Sequence, residues 1–253
     1  MITRRTIVAG ASASAAATLA GCVSSNPNPA IYAAAVPPPT SPAADAIEPS
    51  YKEVYAAASD GKFTVPAVNL GQIDSAFLRK NVAYVTNEHP GTIVVDPANH
   101  YLYHVEGGGR ATRYGVGVGR DGFRWAGEAT IHSKQEWPDW LPPEEMLGRR
   151  PDLGPQMVEL HPKGYLGGSG KGMPGSPANP LGARAMYLWQ GNKDTYFRIH
   201  GTNEPWTIGQ SQSSGCIRMI NQDAIDLYNK TPVGTRVVVL GSANAVPLKL
   251  ATE

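Results

Sequence analysis

Two stretches carry side chains able to do covalent chemistry. Tyr196-Phe-Arg-Ile-His200-Gly-Thr ends an apolar, strand-like run in a histidine. Sixteen residues after that histidine, Ser213-Ser-Gly-Cys216-Ile-Arg-Met places a cysteine behind a glycine. An ordinary thiol titrates near ~8.5, so only a few per cent is thiolate at neutral pH, and a neighbouring imidazole can take the proton and leave the stronger nucleophile. Gly215 lets the backbone come close, so that the Gly215 and Cys216 amides can face a developing oxyanion. Acyl transfer through a thioester suits such a set. The plain alternative for Cys216 is a small buried hydrophobe, against which stand its neighbours Ser213, Ser214 and Gly215 and the polar loop before them. His200 alone reads as a strand-end structural histidine. Paired with Cys216 it is the best base among six histidines; His89, His100, His104, His132 and His161 read as surface or packing residues.

Other candidates are weaker. Arg218, two residues past the thiol, fits either a structural ion pair or a bidentate contact to a substrate carboxylate. Trp137 and Trp140 fall in a long irregular stretch that reads as a lid or groove wall, or equally as a surface loop pinned by two indoles. No metal site is expected, because there is no His-Glu-x-x-His run and one thiol with scattered histidines lacks ligand spacing. No cofactor is expected either. The glycines of Tyr114-Gly-Val-Gly-Val-Gly119 imitate a dinucleotide loop, but a turn at Asp121-Gly rather than a helix-forming run follows them. A papain-like order is excluded because there the cysteine precedes the histidine.

The elements that must position these groups are mostly strands. Among 253 residues, 28 glycines and 20-odd prolines (22) accompany few helix-period runs, which favours a mainly β, turn-rich domain. With 22 basic against 21 acidic residues, no nucleic-acid or polyanion partner is implied. Strands are expected at 92–96, 101–105, 111–119, 126–132, 195–200 and 235–240, with a further strand led into by 179–188. A helix is expected from Asn221, its N-cap, with Ala224, Ile225 and Tyr228 on one face and Pro232 beyond its end. The compact domain is read as 91–241. A preface at 50–90, with a short helix near Tyr51–Ala58, packs on it, and residues 242–253 form a tail.

The N-terminus reads as an export signal over residues 1–22: Arg4 and Arg5, a short apolar stretch, then Leu19-Ala-Gly-Cys22. The last four resemble a bacterial lipoprotein box, which implies acylation of Cys22. The arginine pair resembles a twin-arginine signal without its downstream phenylalanine and lysine. Residues 23–49, rich in Ser, Asn, Ala and Pro, read as a semi-extended tether. The expected location is therefore periplasmic and lipid-anchored to a membrane; Val23 rather than Asp after Cys22 favours the outer one.

His200-Gly-Thr and Ser213-Ser-Gly-Cys-Ile-Arg-Met219, with Asn179-Pro-Leu-Gly-Ala-Arg184 upstream and Asn221 and Asp223 downstream, resemble the L,D-transpeptidase (YkuD-like) catalytic domain over residues 91–241. The resemblance implies a β-sandwich-like fold with one or two short helices, Cys216 as nucleophile, His200 as proton carrier and the Gly201 carbonyl orienting the imidazole. It implies a peptidoglycan tetrapeptide stem as substrate, with loss of the terminal D-alanine and transfer to an amine. That amine is a diaminopimelate of another stem or a lysine of an outer-membrane protein. Many members carry histidine where this chain has Ser214, whose hydroxyl can donate a hydrogen bond; Ser213 and Ser214 are expected to contact substrate. The alternatives are a carboxypeptidase or cross-link hydrolase of the same fold, and a wall-binding lipoprotein without catalysis.

Overall fold

A computed structural model describes residues 49–119, 126–142, 148, 151–160, 170–213 and 215–241. The export signal, Cys22, the tether up to residue 48, Ser214, the Asp121 turn, His161 and the 242–253 tail lie outside the described residues.

The fold is mainly β, built on nine hydrogen-bonded strands. In chain order these are β3 (Lys80–Ala83), β4 (Ile93–Asp96), β5 (Tyr101–Val105), β6 (Arg110–Gly115), β8 (Gly127–Glu136), β11 (Arg184–Gln190), β12 (Lys193–His200), β14 (Ile217–Arg218) and β15 (Arg236–Val239). Their order across the sheet is β14-β12-β11-β8-β15-β4-β5-β6-β3. Short pairs flank it: β1 (Ala58–Asp60) with β2 (Phe63–Val65), β9 (Val158–Leu160) with β10 (Gly170–Gly172), and β7 (Val118–Gly119) with β13 (Ser211–Ser213). At its centre β4 and β15 run parallel, Val94 opposite Val238. Both are continuous apolar runs, as strands covered on both faces must be. Ile93, Val95, Val237 and Val239 enter the main core, and Val94 and Val238 join Tyr101 and Tyr103 on the other face. Each such fully buried aliphatic side chain stabilises by about 1.5–3 kcal/mol. At the β14 end of the sheet, Arg218 and Gly117, just past β6, exchange both backbone hydrogen bonds at 2.9 Å.

The expected strands from 92 onward are present, except that 111–119 is broken: β6 ends at Gly115, and β7 from Val118 leaves the main sheet to pair with β13. The helix near residue 51 is shorter than expected, α1 (Pro49–Val54). The β1–β2 hairpin follows it, and β3 adds an edge strand beside β6 from upstream of residue 91. The second helix, α2 (Asn221–Lys230), is present, but its cap position is Ile220, without a side-chain cap bond. Its core-facing side is Ala224 and Leu227, with Tyr228 partly buried against the same core.

The first turn of α2 is polar and buried because each side chain has a distant partner. Asp223, fully buried, accepts from the Tyr55 hydroxyl at 3.1 Å and lies 3.6 Å from the Arg79 guanidinium. Burial pushes its carboxyl up to about 7, while Arg79 and the Tyr55 hydroxyl pull the other way. The same hydroxyl accepts the Arg79 amide at 2.7 Å. Gln222 donates to the Ala56 and Pro66 carbonyls at 3.1 and 3.0 Å. Arg184 grips Asp60 bidentately at 2.7 and 2.8 Å. The preface is thus locked to the domain by polar contacts as well as by Tyr55, Ile73 and Leu78 in a shared cluster with Ile208 and Ile220. Tyr55→Phe keeps the ring but leaves Asp223 and the Arg79 amide short of a partner. Its expected effect is a loss of about 1–3 kcal/mol, read as a lower urea midpoint at unchanged slope. An unchanged midpoint would mean that the hydroxyl does not hold the preface.

Candidate active site

Strands β12 and β14 pair in parallel, Ile199 opposite Ile217 and His200 opposite Arg218. Ile199 and Ile217 are fully buried in the core. With a side-chain period of two, His200 and Arg218 project from the opposite face. Arg198 and Cys216 precede them by two residues on their respective chains. The Met219 amide, donating to the His200 carbonyl at 2.8 Å, extends the pairing past the site.

His200 is buried, with Nδ1 2.6 Å from the Gly201 carbonyl oxygen. A carbonyl only accepts, so Nδ1 carries the proton and donates, leaving Nε2 as the basic nitrogen. Burial pushes the imidazole down to about 4; the Gly201 contact opposes that shift, and the charges of Arg218 and Arg198 reinforce it. The Gly201 segment is itself braced. Asn221 accepts the Ala183 amide on Oδ1 and donates Nδ2 to the Thr202 carbonyl, both at 2.9 Å. A Cβ on Gly201 would lie 2.1 Å from that Oδ1, so only glycine leaves room for the brace. Upstream, the buried Asn179 donates to the carbonyls of Pro138, Met173 and Pro174 at 2.9–3.1 Å and accepts the Leu181 amide at 2.9 Å. The Asn179–Arg184 motif is therefore a clamp on backbone around the site.

Cys216 is half-buried, with its thiol donating to the Tyr196 carbonyl at 4.0 Å. Burial raises the thiol above its ordinary range, and the Arg198 amide and the Arg198 and Arg218 charges oppose this. Gly215 before it has φ +132° and would bring a Cβ to 2.7 Å from the Phe197 ring, a conformation and a contact that require glycine. The carbonyl that receives the thiol belongs to a bulge in β12, where the register with β11 slips between Tyr187↔Arg198 and Trp189↔Asp194. Tyr196, 81% exposed with φ +60°, stands at its crest. Asp194 fastens the bulge by accepting the Tyr196 amide at 2.8 Å and pairing bidentately with Arg198 at 2.7 and 2.8 Å.

Of the expected binding residues, Arg218 shares the strand end with Cys216. Its guanidinium lies over Gly117, where a Cβ would sit 2.9 Å from Nη2. Ser213 ends β13, and Ser214 lies outside the described residues. Trp137 packs on Phe63 of the N-terminal hairpin at 4.8 Å between ring centroids, and Trp140 pairs its backbone with Met173. The Trp137 indole thus belongs to the β1–β2 side of the fold, and the Trp140 backbone bridges to Met173 just past β10. Asp194, Tyr196 and Arg198 carry no sequence signal for their place beside the thiol. A pair four apart reads as a helix contact unless the strand bulges. For Asn221, the asparagine at a helix start signals a cap, and its real partners lie 19 and 38 residues away.

The buried imidazole makes a titration prediction. Its NMR midpoint should fall near 4 rather than at the ordinary 6.5. The unfolded chain then takes up the proton first, so the stability that neutral His200 contributes is intact above 6.5 and is lost as pH falls towards 4. A midpoint at the ordinary value would contradict the buried geometry.

A family model described as the L,D-transpeptidase catalytic domain (YkuD) matches residues 90–239. The probable L,D-transpeptidase ErfK/SrfK of Escherichia coli (strain K12) is 31% identical over 166 residues, 64% of this chain and 46% of that protein. A putative L,D-transpeptidase of Fuscovulum blasticum is 37% identical over 115 residues, 45% of this chain and 49% of that protein. The chain thus spans about half the length of the curated relatives it matches. Among solved structures, a Brucella melitensis chain described as a probable carnitine operon oxidoreductase is 50% identical, with 68% of this chain and 99% of that one covered and a TM-score of 0.42. An L,D-transpeptidase from Mycobacterium smegmatis is 18% identical, with 59% and 58% covered and a TM-score of 0.39.

Proposed function

Because this chain belongs to the YkuD family of L,D-transpeptidase catalytic domains, we propose that it is a cysteine-dependent L,D-transpeptidase acting on peptidoglycan stem peptides. The observation that carries the reading is the β12–β14 register, which sets His200 opposite Arg218, two residues past Cys216, with the imidazole's Nδ1 already committed to Gly201. His200, pushed down, and Cys216, pushed up, are both neutral near pH 7. The thiol proton therefore moves to His200 Nε2 as sulfur attacks, instead of beforehand.

In this reading Cys216 Sγ attacks the carbonyl that joins the third stem residue to the terminal D-alanine. The resulting oxyanion faces the Gly215 and Cys216 amides, a contact of the kind worth about 10²–10³ in rate per donor. The intermediate collapses, the C–N bond breaks, and Nε2 returns the proton to the departing amine. The stem remains as a thioester. An incoming amine attacks it, gives its proton to Nε2, and the sulfur leaves and is reprotonated. Gly201, held by the Asn221 brace, keeps the imidazole in the tautomer this cycle needs. Export and a lipid tether through Cys22 would place the domain at the wall it acts on.

Incubation with a disaccharide-tetrapeptide should give released D-alanine and an acyl adduct on Cys216 by intact mass, and Cys216→Ala should abolish both. His200→Ala should slow acylation by about 10²–10⁴, and the acid limb of the wild-type rate should lie near the imidazole's value of about 4. An adduct resolved by water even with a diaminopimelate amine present would mark a hydrolase. Binding to sacculi with no adduct in the native protein would mark a non-catalytic wall protein.

A further inference from the structure

Tyr196 is the most exposed large apolar side chain among the described residues, at 81%, and it holds φ +60°. An aromatic residue is strained there, whereas glycine or asparagine adopts that conformation readily. The bulge in β12 needs the conformation, since its crest presents the Tyr196 carbonyl to the Cys216 thiol. The bulge does not need the ring. Asp194 holds the Tyr196 amide, and neither the ring nor its hydroxyl enters a hydrogen bond or ring contact among the described residues. A strained conformation and an exposed ring are thus kept together at a residue whose backbone meets the nucleophile's sulfur.

Thr195 is buried, and Phe197 packs on the main core with Ile199. By the strand's alternation Tyr196 projects from the opposite face, with Arg198 and His200. The base of the ring is pinned, because Asp194 takes the Tyr196 amide and grips Arg198 bidentately. When Cys216 is acylated, the carbon bonded to sulfur belongs to the residue on the acyl side of the scissile bond. That residue's side chain branches one carbon further on. It starts within a few bonds of a sulfur that lies 4.0 Å from the Tyr196 carbonyl. The stem's sugar, three residues further back, stands off by roughly 10 Å of extended chain.

We propose that Tyr196 is a platform for the side chain of the residue acylated on Cys216, and that the site selects there a long methylene stem with a polar end, as in diaminopimelate or lysine. The inference rests on the acyl-transfer reading of Cys216 and His200 given above. An open ring suits such a side chain better than a closed pocket does: the methylenes lie along the apolar face and the polar end stays in water. Tyrosine supplies that face with only two torsions to order. A small side chain at the same position leaves the ring uncovered. The contact makes and breaks no bond; it acts on capture of the donor before sulfur attacks.

The test measures D-alanine release and the Cys216 adduct with three tetrapeptides that differ only in the third residue: diaminopimelate, norleucine or alanine. The wild type should prefer each of the first two over the alanine peptide by about 4- to 15-fold in kcat/KM, which is what covering one or two methylenes supplies. Tyr196→Asn, which adopts the same backbone conformation, should bring both ratios close to one, at a urea midpoint no lower than the wild type's. Tyr196→Phe should keep both ratios. Tyr196→Gly is the second ringless variant, should the Asn protein fail to fold. Ratios near one in the wild type, ratios that survive in a folded ringless variant, or a norleucine peptide used no better than the alanine one would overturn the proposal while leaving Cys216 acylation intact. So would a midpoint that falls together with the ratios, which would assign the ring to the fold. If no peptide marks Cys216, the acyl-transfer reading fails, and this proposal with it.

Discussion

The site depends on a constraint that is not itself catalytic: Ile199 and Ile217 must both point into the core. Their burial fixes the register of β12 against the two residues of β14. A slip of β14 by one residue would drive Arg218 into the hydrocarbon interior and turn Ile217 onto the polar face beside His200. Two aliphatic side chains therefore decide which polar groups meet on the outer face. The pairing is short, and it is held at both ends, by the Met219 amide on one strand end and by the Gly215 turn packed on Phe197 at the other.

Around this pair, polar side chains act on backbone more than on each other. Asn221, Asn179 and Gln222 together tie down carbonyls and amides from five separate loops, and all three are buried. A carboxamide offers donors and an acceptor without charge, so it can bridge such groups in the interior at little desolvation expense. The charged residues are placed where the geometry can be bidentate, Arg184 on Asp60 and Arg198 on Asp194. The N-terminal preface shares in this arrangement. Asp60 and Tyr55 reach the elements that carry Arg184 and Asp223, so the segment upstream of residue 91 supports the same backbone that presents His200.

The legible parts of the chain were those in which one physical pattern dominates. Thr92-Ile-Val-Val-Asp96 and Arg236-Val-Val-Val239 read as strands because both faces are covered, and His200 and Cys216 stood out because a base and a thiol sit at strand ends separated by a polar loop. Ala58-Ser-Asp60 was silent: its strand exists through the Phe63 hairpin and the Arg184 ion pair, both tertiary. Asn221 read as a helix cap because local preference places asparagine there, yet Ile220 takes the cap position and the amide serves two distant peptide groups. Ile225, expected on one face with Ala224 and Tyr228, is half-buried, and Leu227 joins Ala224 in the core. The β12 bulge was invisible because nothing in Asp194-Thr-Tyr-Phe-Arg198 demands φ +60° at a tyrosine; the fold imposes it.

The bridge between Gly117 and Arg218 closes the rim of the sheet beside the thiol, since β14 is hydrogen-bonded to β12 on one side and to Gly117 on the other. Among the described residues the Arg218 main chain is paired on both sides, which leaves no open edge at that residue for an extended peptide to join. An extended segment beside Arg218 would therefore have to be met by side chains rather than by that residue's main chain.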